Sequence, residues 1–297
     1  MRQLVFLAVR AIQTLLIPLS LLPYPILFVL SDVLFVVIFY VVRYRRKVVF
    51  ENLRLCFPDK NEAEIKKIAK AYYHHLCDLM VENIKLFTLS SKQIMHRCLI
   101  SGTEIIDWHF SQGKSVVVAL GHCGNWELAG LATSLHFRQR AVALYKPIKN
   151  QYADLLMLRL RSKFGMMLIP LSRVRSLWRR MNGQPYLFIF ITDQSPSNSE
   201  TAYWTRFLNR DTAVYRGVER FARMEGMPVL FADIRKIKRG YYHIQVVPIS
   251  DDAAQAREGE VTEKFMRELE KAILRDPTIW LWSHRRWKRT RPAIPAD

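Results

Sequence analysis

The most extended hydrophobic pattern lies near the N-terminus, where residues 14–42 contain a single charged side chain, Asp32. The run is 29 residues long, and a helix that crosses a bilayer needs roughly 20. Pro18, Pro23 and Pro25 interrupt its first half, and proline kinks or ends a helix. The pattern predicts a membrane-associated helical segment, with a kinked span, a shallow hairpin and an interfacial helix as alternatives.

Basic residues follow the apolar run directly, in the sequence RYRRK at residues 43–47. Positive residues beside an apolar segment favour the cytoplasmic side of a membrane and bind anionic headgroups. A cleaved signal peptide fits less well, since its apolar core is shorter and a small-residue cleavage site follows it. We therefore expect residues 1–47 to form a membrane anchor with a basic juxtamembrane segment, followed at residues 48–297 by an α/β domain with a helical N-terminal part on the cytoplasmic side.

Beyond the anchor the hydrophobic period changes. Residues 51–100 carry apolar side chains at helical spacing and predict helices. From about residue 100, short β-branched runs alternate with helical patterns, which is typical of an α/β sheet. Strands are predicted at residues 115–120, 141–145, 186–192, 229–234 and 242–247. Helices are predicted from Asn125 and at residues 151–164, 174–181, 217–225 and 261–275. The predicted fold class is α/β, with a single mixed sheet flanked by helices and preceded by the membrane-associated segment.

Composition narrows the class of partner. The chain has 45 Lys and Arg against 26 Asp and Glu, a formal net charge of +19. This surplus favours an anionic partner, such as nucleic acid, an acidic substrate or an anionic membrane surface. Half of the residues are hydrophobic, which excludes wholesale disorder. The cysteines form no CxxC pair and argue against a disulfide scaffold or a structural zinc site; they are Cys56, Cys77, Cys98 and Cys123.

The strongest local signal is GHCGNWE at residues 121–127, where a predicted strand ends and a helix begins. Ligands bind at this end of strands in open α/β sheets, and a helix start offers N–H groups to an anion. His122 is a candidate general base and Glu127 a candidate carboxylate to orient it. Five residues on an ideal helix separate two side chains by about 140°. The pair therefore meets only if His122 lies in the turn, and the alternative is a turn histidine with a solvated glutamate.

Further motifs lie on both sides of the His122 turn, and their order along the chain is characteristic. Together they resemble the bacterial lipid A late acyltransferases, the lauroyl and myristoyl transferases within the wider H-x4-[DE] glycerolipid acyltransferases. The resemblance covers about residues 40–290. The motifs are RKVVFENLRLCFP at residues 46–58, Tyr145-Lys146-Pro147 with Asn150, residues 159–165, Asp193-Gln194-Ser195-Pro196, residues 204–207, Gly217, Ala222, Pro228, residues 240–242 and WSHRRW at residues 282–287.

The resemblance implies roles for the residues at matching positions. His122 acts as the general base and Glu127 orients it. Arg161 binds phosphate or stabilises the oxyanion, with Arg159 close enough to compete for that role. The predicted substrate-binding set is completed by Asp193, Gln194, Asn125 and Lys146, although Asn125 also suits a helix cap.

The activity implied is acyl transfer from a thioester, carried by acyl carrier protein or coenzyme A, to a hydroxyl of a lipid A precursor at the inner membrane. No cofactor, metal or nucleic acid is implied, and Cys123 receives no role as a nucleophile. The alternatives are an acyltransferase acting on a lysophospholipid, aminolipid or glycolipid, and a non-catalytic basic protein of the membrane surface. The basic tail at residues 284–291 is expected at a membrane interface or in solvent.

Overall fold

The computed structural model describes residues 16–291, except 138–139, 175, 177–180, 182 and 199. Capping boxes begin two helices of its N-terminal part, in which Asn61 pairs with Glu64 and Ser90 pairs with Gln93. These side chains satisfy backbone groups that have no partner within the helix, so both helix starts are encoded locally. The helices are α1 at Tyr24–Val36 with a π-helical continuation at Val37–Val42, α2 at Arg46–Cys56, α3 at Glu62–Lys85 and α4 at Ser91–Arg97.

Strands and helices alternate through the rest of the chain. The strands are β1 at Cys98–Ser101, β2 at Val116–Leu120, β3 at Ala141–Tyr145, β4 at Met167–Pro170, β5 at Leu187–Ile191, β6 at Tyr203–Phe207, β7 at Arg210–Val214, β8 at Val229–Lys238 and β9 at Tyr241–Ser250. The further helices are α5 at Glu104–Ser111, α6 at Trp126–His136, α7 at Gln151–Arg161, α8 at Gly217–Met224 and α9 at Glu260–Arg275.

Seven strands form one mixed sheet in the order β1-β9-β8-β2-β5-β3-β4. Neighbouring strands are parallel except β8 and β9, which form an antiparallel hairpin. The remaining pair, β6 and β7, is antiparallel and separate from this sheet. The predicted fold class is confirmed. Because β2 and β5 are adjacent and parallel, the loops that follow them meet at the same edge of the sheet.

The centre of the sheet is covered on both faces, and all five residues of β2 are buried. Val117 and Ala119 pack into one hydrophobic cluster together with Phe265 of α9. Val118 packs into a second cluster together with Leu128 of α6. Two-sided burial explains why β2 reads as a continuous apolar run rather than an alternating one. It also gives the loop after β2 a rigid support.

The predicted strands agree with the structure at the centre of the sheet and differ at its margins. β2, β3 and β5 lie within one residue of their predicted bounds, whereas β8 and β9 extend to Lys238 and Ser250 because they pair as a long hairpin. The prediction of helix over 51–100 is wrong at residues 98–100, which belong to β1. Four-residue strands such as β1 and β4 give too short a pattern for a period to be read. Most of the predicted helix at 174–181 lies outside the described residues.

The apolar segment near the N-terminus contains one helix long and apolar enough to cross a membrane, at Tyr24–Val42, among the residues described. It does not stand apart from the globular body. Leu27, Phe35 and Phe39 are buried, and the two phenylalanines belong to the same cluster as Val117 of β2. The division between residues 47 and 48 therefore stays a prediction.

Candidate active site

The turn between β2 and α6 is shaped by two glycines. A Cβ at Gly121 would lie 2.5 Å from Cδ1 of Leu269, and one at Gly124 would lie 2.8 Å from Cγ2 of Ile234. Gly124 also has φ of +56°, a conformation that favours glycine. The backbone therefore approaches its neighbours more closely than a larger residue allows. This close approach fixes the position of His122, which lies between the two glycines.

The His122 side chain is held by Asp193, which follows β5 by two residues. Nδ1 of the ring lies 2.6 Å from Oδ1 of Asp193, and the backbone N–H of His122 donates to Oδ2 at 2.8 Å. The indole N–H of Trp280 donates to the same Oδ2 at 2.8 Å. Asp193 is buried, while 17% of the His122 side chain is exposed. The ring is thus anchored from behind and open on its other side.

The electrostatics of the pair favour an ionised Asp193. Burial on its own raises the pKa of this carboxyl, but the attraction to His122 and the hydrogen bonds from His122 and Trp280 outweigh it and lower the pKa to about 2. A carboxylate accepts a hydrogen bond and does not donate one. It therefore favours the imidazole tautomer with hydrogen on Nδ1, which leaves the lone pair of Nε2 directed away from Asp193.

Glu127 makes no hydrogen bond with His122, contrary to the predicted orienting role. Its carboxylate receives two hydrogen bonds from Arg161, from Nε at 2.9 Å and from Nη2 at 2.6 Å, and a third from the indole N–H of Trp126 at 3.2 Å. The Trp126 ring packs edge-on against His122, with ring centroids 5.0 Å apart, so that Trp126 contacts both residues. The physical reason is the helix: Glu127 lies in the first turn of α6 and points toward α7, where Arg161 offers a planar pair of donors.

Arg161 is held in the charged state by this contact. Burial lowers the pKa of a guanidinium, but the hydrogen bonds and charge of Glu127 outweigh it, so the pKa of Arg161 is raised. A quarter of the Arg161 side chain is exposed, against 8% for Glu127. Within the described part of the chain, Nη1 makes no hydrogen bond with a protein group. The pair therefore presents a fixed positive charge beside the His122 turn.

Asn125 lies behind the turn rather than in front of it. It is 1% exposed, its Oδ1 caps α6 by accepting from Leu128 N–H at 2.9 Å, and its Nδ2 donates to Glu82 at 2.8 Å. Tyr242 donates to the same oxygen of Glu82 at 2.9 Å. Burial raises the pKa of Glu82 to about 7, although the two hydrogen bonds oppose the shift. The predicted substrate contact of Asn125 is thus replaced by a contact with α3 that positions the turn.

The other predicted site residues lie around the same edge. The side-chain nitrogen of Gln194 is 3.4 Å from Nε2 of His122. Lys146 is exposed in the loop after β3, and Arg159 lies two residues before Arg161 on α7. Cys123 is buried in the turn, and burial, reinforced by Asp193, raises the pKa of its thiol well above the ordinary value. A thiol in this environment is a poor nucleophile.

The C-terminal segment contributes residues that the sequence pattern did not assign to the site. Besides Trp280, it brings His284, whose Nε2 accepts from the Ser195 N–H at 3.3 Å. Burial lowers the pKa of His284 to about 4. Arg286 is 2% exposed, and burial, partly offset by Asp193, lowers its pKa to about 10. The basic tail is therefore folded in part against the Asp193 loop, and the aromatic residues interleaved with its arginines are the signal for this burial.

The sequence model of one family, described as Bacterial lipid A biosynthesis acyltransferase, matches residues 3–289. The chain belongs to this family. The resemblance found in the motifs is thereby confirmed, and the chain is an acyltransferase of lipid A biosynthesis by family.

Several lipid A acyltransferases are similar over most of their length. The lipid A biosynthesis palmitoleoyltransferase of Escherichia coli (strain K12) is 24% identical over 272 residues, which cover 91% of this chain and 87% of the relative. The lipid A biosynthesis lauroyltransferase of the same organism is 25% identical over 281 residues, with 93% and 89% covered. A lipid A biosynthesis acyltransferase of Haemophilus influenzae is 22% identical over 250 residues, with 84% and 78% covered.

Membership of the lipid A acyltransferase family supports acyl transfer onto lipid A. The family match covers the His122 turn, the Asp193 loop, Arg161 and most of the C-terminal segment. The chemistry of these groups fits such a reaction, since they combine an anchored imidazole with a paired cation at the same edge of the sheet. They provide a proton acceptor and a positive charge.

Proposed function

We propose that this chain transfers a fatty acyl group from an acyl thioester to a hydroxyl of a lipid A precursor, with His122 as the general base. One observation carries this proposal. His122 sits in the turn after β2 with Nδ1 bonded to Asp193 at 2.6 Å, so that Nε2 is the ring atom available for proton transfer.

This arrangement gives the path of the proton. The acceptor hydroxyl approaches Nε2 of His122 in place of the Gln194 amide, which lies 3.4 Å away. Nε2 takes the hydroxyl proton as the oxygen attacks the thioester carbonyl, and the imidazolium that forms is stabilised by the Asp193 carboxylate. Collapse of the tetrahedral intermediate expels the thiolate of the donor, which receives the proton. Asp193 is the positioning residue in this scheme, and Glu127 is not.

Arg161 supplies positive charge to the same site. Glu127 fixes the guanidinium through Nε and Nη2, which directs Nη1 toward an acceptor phosphate or toward the developing oxyanion. In this proposal Lys146, exposed in the loop after β3, adds positive charge at the edge of the site. Arg159 supports the phosphate-binding role from the same helix.

The donor we propose is acyl carrier protein or coenzyme A bearing the acyl thioester, and the acceptor is an anionic lipid. The formal charge of +19 suits both an acidic carrier and a phosphorylated lipid. The apolar helix at Tyr24–Val42 and the basic residues 43–47 support attachment to the inner membrane with the catalytic body on the cytoplasmic side. A different lipid acceptor, such as a lysophospholipid or aminolipid, fits the same base and cation.

Product mass spectrometry tests the proposal. The purified full chain in detergent is given acyl carrier protein thioesters, or acyl coenzyme A, together with a phosphorylated and under-acylated lipid A precursor. We expect a mass gain of one acyl group, and a loss of about 10²–10⁴-fold in rate for His122→Ala. The matched control is His136→Ala, an exposed histidine on α6, for which we expect a change within about twofold.

Three results contradict the proposal in different ways. A His122→Ala rate within about tenfold of the unmodified chain removes His122 as the base, because general base catalysis contributes more than that. If no acylated product forms and the thioester stays intact, the lipid A precursor is not the acceptor, and another lipid takes its place in the proposal. Binding of lipid without turnover of any thioester favours the non-catalytic membrane-surface alternative.

A further inference from the structure

The length of the apolar helix does not decide how it meets a membrane. Tyr24–Val42 has 19 residues, which at about 1.5 Å per residue roughly match the hydrocarbon thickness of a bilayer. One face of this helix is exposed and almost wholly apolar. The residues of this face, called the apolar stripe below, are Ile26, Val29, Leu30, Val33, Val36, Val37, Tyr40, Val41 and Val42.

The opposite face packs along α3, the end of α4 and the β8–β9 turn, and aromatic rings of the helix contact charged or titratable side chains there. These contacts run from one end of the helix to the other. The Tyr24 ring lies 3.5 Å from Arg97, the Phe28 ring 4.5 Å from Arg239, the Phe35 ring 3.5 Å from His74 and the Phe39 ring 5.2 Å from Tyr73.

An ionic network lies near the midpoint of the helix. Arg239 donates to Asp32 at 2.6 Å and to Asp78 of α3 at 2.8 Å. Asp78 also accepts from Ser31 at 2.8 Å and pairs with Lys236 at 3.4 Å. In a helix that crosses the bilayer, the midpoint lies at the centre of the hydrocarbon. Charged groups there are expensive, and half of the Asp32 side chain is exposed.

Crossing the bilayer would therefore take much of α3 into the hydrocarbon as well. Helix α3 has 24 residues and carries Lys66, Lys67 and Lys70 in its first half, all exposed or half-buried. A helix lying along the membrane surface avoids this cost, because only its apolar stripe enters the lipid while α3 stays on the water side.

The end of the helix suits a membrane surface too. Arg43 and Arg45 both have positive φ, of 54° and 49°, and this sharp turn redirects the chain into α2 rather than continuing the helix axis. Arg43, Arg45 and Lys47 are exposed there. Their charge complements the anionic headgroups of a lipid surface.

The same helix, α3, joins this surface to the candidate active site. Asp78 binds the apolar helix through Ser31 and Arg239, and Glu82, one turn further along α3, binds Asn125 in the His122 turn. The packed helices are about 8–10 Å apart between axes. Helix α3 thus lies between the apolar helix and the His122 turn and contacts both of them.

We propose that the helix at Tyr24–Val42 lies in the plane of the membrane surface, with its apolar stripe embedded in one leaflet, and does not cross the bilayer. This seating holds the His122 turn at headgroup level, where a lipid acceptor presents its hydroxyl. The second statement rests on the proposed function, whereas the first does not.

Depth-dependent fluorescence quenching tests the seating directly. Val29→Cys, Val33→Cys and Val41→Cys each place a fluorophore on the apolar stripe of the full chain. The native cysteines are buried, so the unmodified chain gives the background labelling. The labelled proteins are bound to vesicles of phosphatidylethanolamine and phosphatidylglycerol that carry bromine at a shallow or a deep acyl position. The control is Trp108→Cys, an exposed position on α5, which leads into the opposite edge of the sheet.

We expect the three stripe positions to share one shallow depth, with no quenching at Trp108→Cys. A helix that crosses the bilayer predicts instead a depth that changes by about 12 Å between Val33 and Val41, from about 1.5 Å per residue. That gradient, or the absence of quenching at the stripe, overturns the proposal. Acyl transfer is measured on the same samples. Equal shallow depths without acyl transfer leave the seating intact and contradict only the proposed function.

Discussion

Two buried carboxylates, Asp193 and Glu127, bind different groups of the candidate site. Asp193 lies at the carboxyl end of β5 and accepts from His122 and Trp280, whereas Glu127 lies in the first turn of α6 and accepts from Arg161 and Trp126. The first contact fixes a base and the second fixes a cation. The two members of an H-x4-E motif therefore need not be partners, because strand ends and helix starts direct side chains to different neighbours.

The largest effect is expected where the carboxylate touches the base. Asp193→Asn keeps the shape of the side chain and removes its charge, so the imidazolium loses its stabilising partner and the Nδ1–H tautomer is no longer enforced. We expect kcat to fall about 10³–10⁴-fold, since the same change in a serine–histidine–aspartate triad lowers kcat about 10⁴-fold. The measurement is the initial rate of product formation by mass spectrometry.

The pH profile of the unmodified chain is part of the same prediction. The pKa of Asp193 is about 2, which is below the value of this carboxyl in the unfolded chain. Its stabilising contribution is complete above a pH of about 4 and is lost only as pH falls through about 2. The rate is therefore not expected to follow the ionisation of Asp193 near neutral pH. An Asp193→Asn kcat within about tenfold of the unmodified chain would sink this assignment.

A smaller effect is expected at the second carboxylate. Glu127→Gln leaves the Arg161 guanidinium without its charged partner, so the cation moves while the base stays in place. We expect about a 10–100-fold loss in kcat/KM, mainly through KM for a phosphorylated acceptor. Kinetics with phosphorylated and dephosphorylated acceptors measure this split.

A double-mutant cycle with Arg161→Lys shows whether the two residues act as one unit. Lysine keeps the charge but loses the planar pair of donors. We expect the effects of Glu127→Gln and Arg161→Lys to be strongly non-additive, while Asp193→Asn adds to either of them. Additive losses for Glu127→Gln and Arg161→Lys, or a fall in kcat alone, would contradict the conclusion that Glu127 positions the cation while Asp193 positions the base.

The third effect is smaller still and concerns the support of Asp193. Trp280→Phe removes the indole N–H that donates to Oδ2, and a hydrogen bond to a charged group contributes about 1.5–3 kcal/mol. Part of that loss is met by water, so we expect about a tenfold fall in kcat. Trp287→Phe is the matched control, since Trp287 donates to Thr212; we expect it to lower stability without lowering kcat. Equal kcat for both variants contradicts the support role.

The sequence predicted the centre of the fold and one half of the site. The strand before His122 and the helix after it follow from an apolar run, two glycines and the Asn125 cap, all within fifteen residues of chain. The partner of His122 did not follow from spacing, because Asp193 lies 71 residues away and reaches the ring only through the pairing of β2 with β5. Strand order in a parallel sheet is a long-range property that local periodicity does not encode.

The same limit applies to the C-terminal segment. Its basic residues indicated a solvated or membrane-bound tail, whereas burial of Trp280, Trp282 and Arg286 places it against the Asp193 loop. The aromatic residues were the visible signal, but which surface they cover depends on the folded sheet. The net charge thus predicted an anionic partner, but it did not predict where in the fold the basic residues lie.

A third buried carboxylate, Glu82, sharpens the comparison because it makes no ion pair with a described residue. Its Oε2 accepts from Asn125 and Tyr242, and its Oε1 has no hydrogen-bond partner among the described groups. Burial raises its pKa to about 7, so the folded chain holds a proton that the unfolded chain releases from about pH 4.5. Stability therefore falls as pH rises through this interval.

Glu82→Gln mimics the protonated form, since its amide oxygen accepts the same two hydrogen bonds and its NH2 group replaces the protonated oxygen. We expect the variant to match the unmodified chain at a pH of about 5 and to be about 1–3 kcal/mol more stable at a pH of about 8, from 1.36 kcal/mol per pKa unit. Urea unfolding in detergent at both pH values measures the difference, with Glu51→Gln, an exposed position on α2, as a control for the removed charge. A difference that does not change with pH would mean that Glu82 is ionised in the folded chain. The turn behind His122 would then tolerate a buried charge, as the Asp193–His122 and Glu127–Arg161 pairs do.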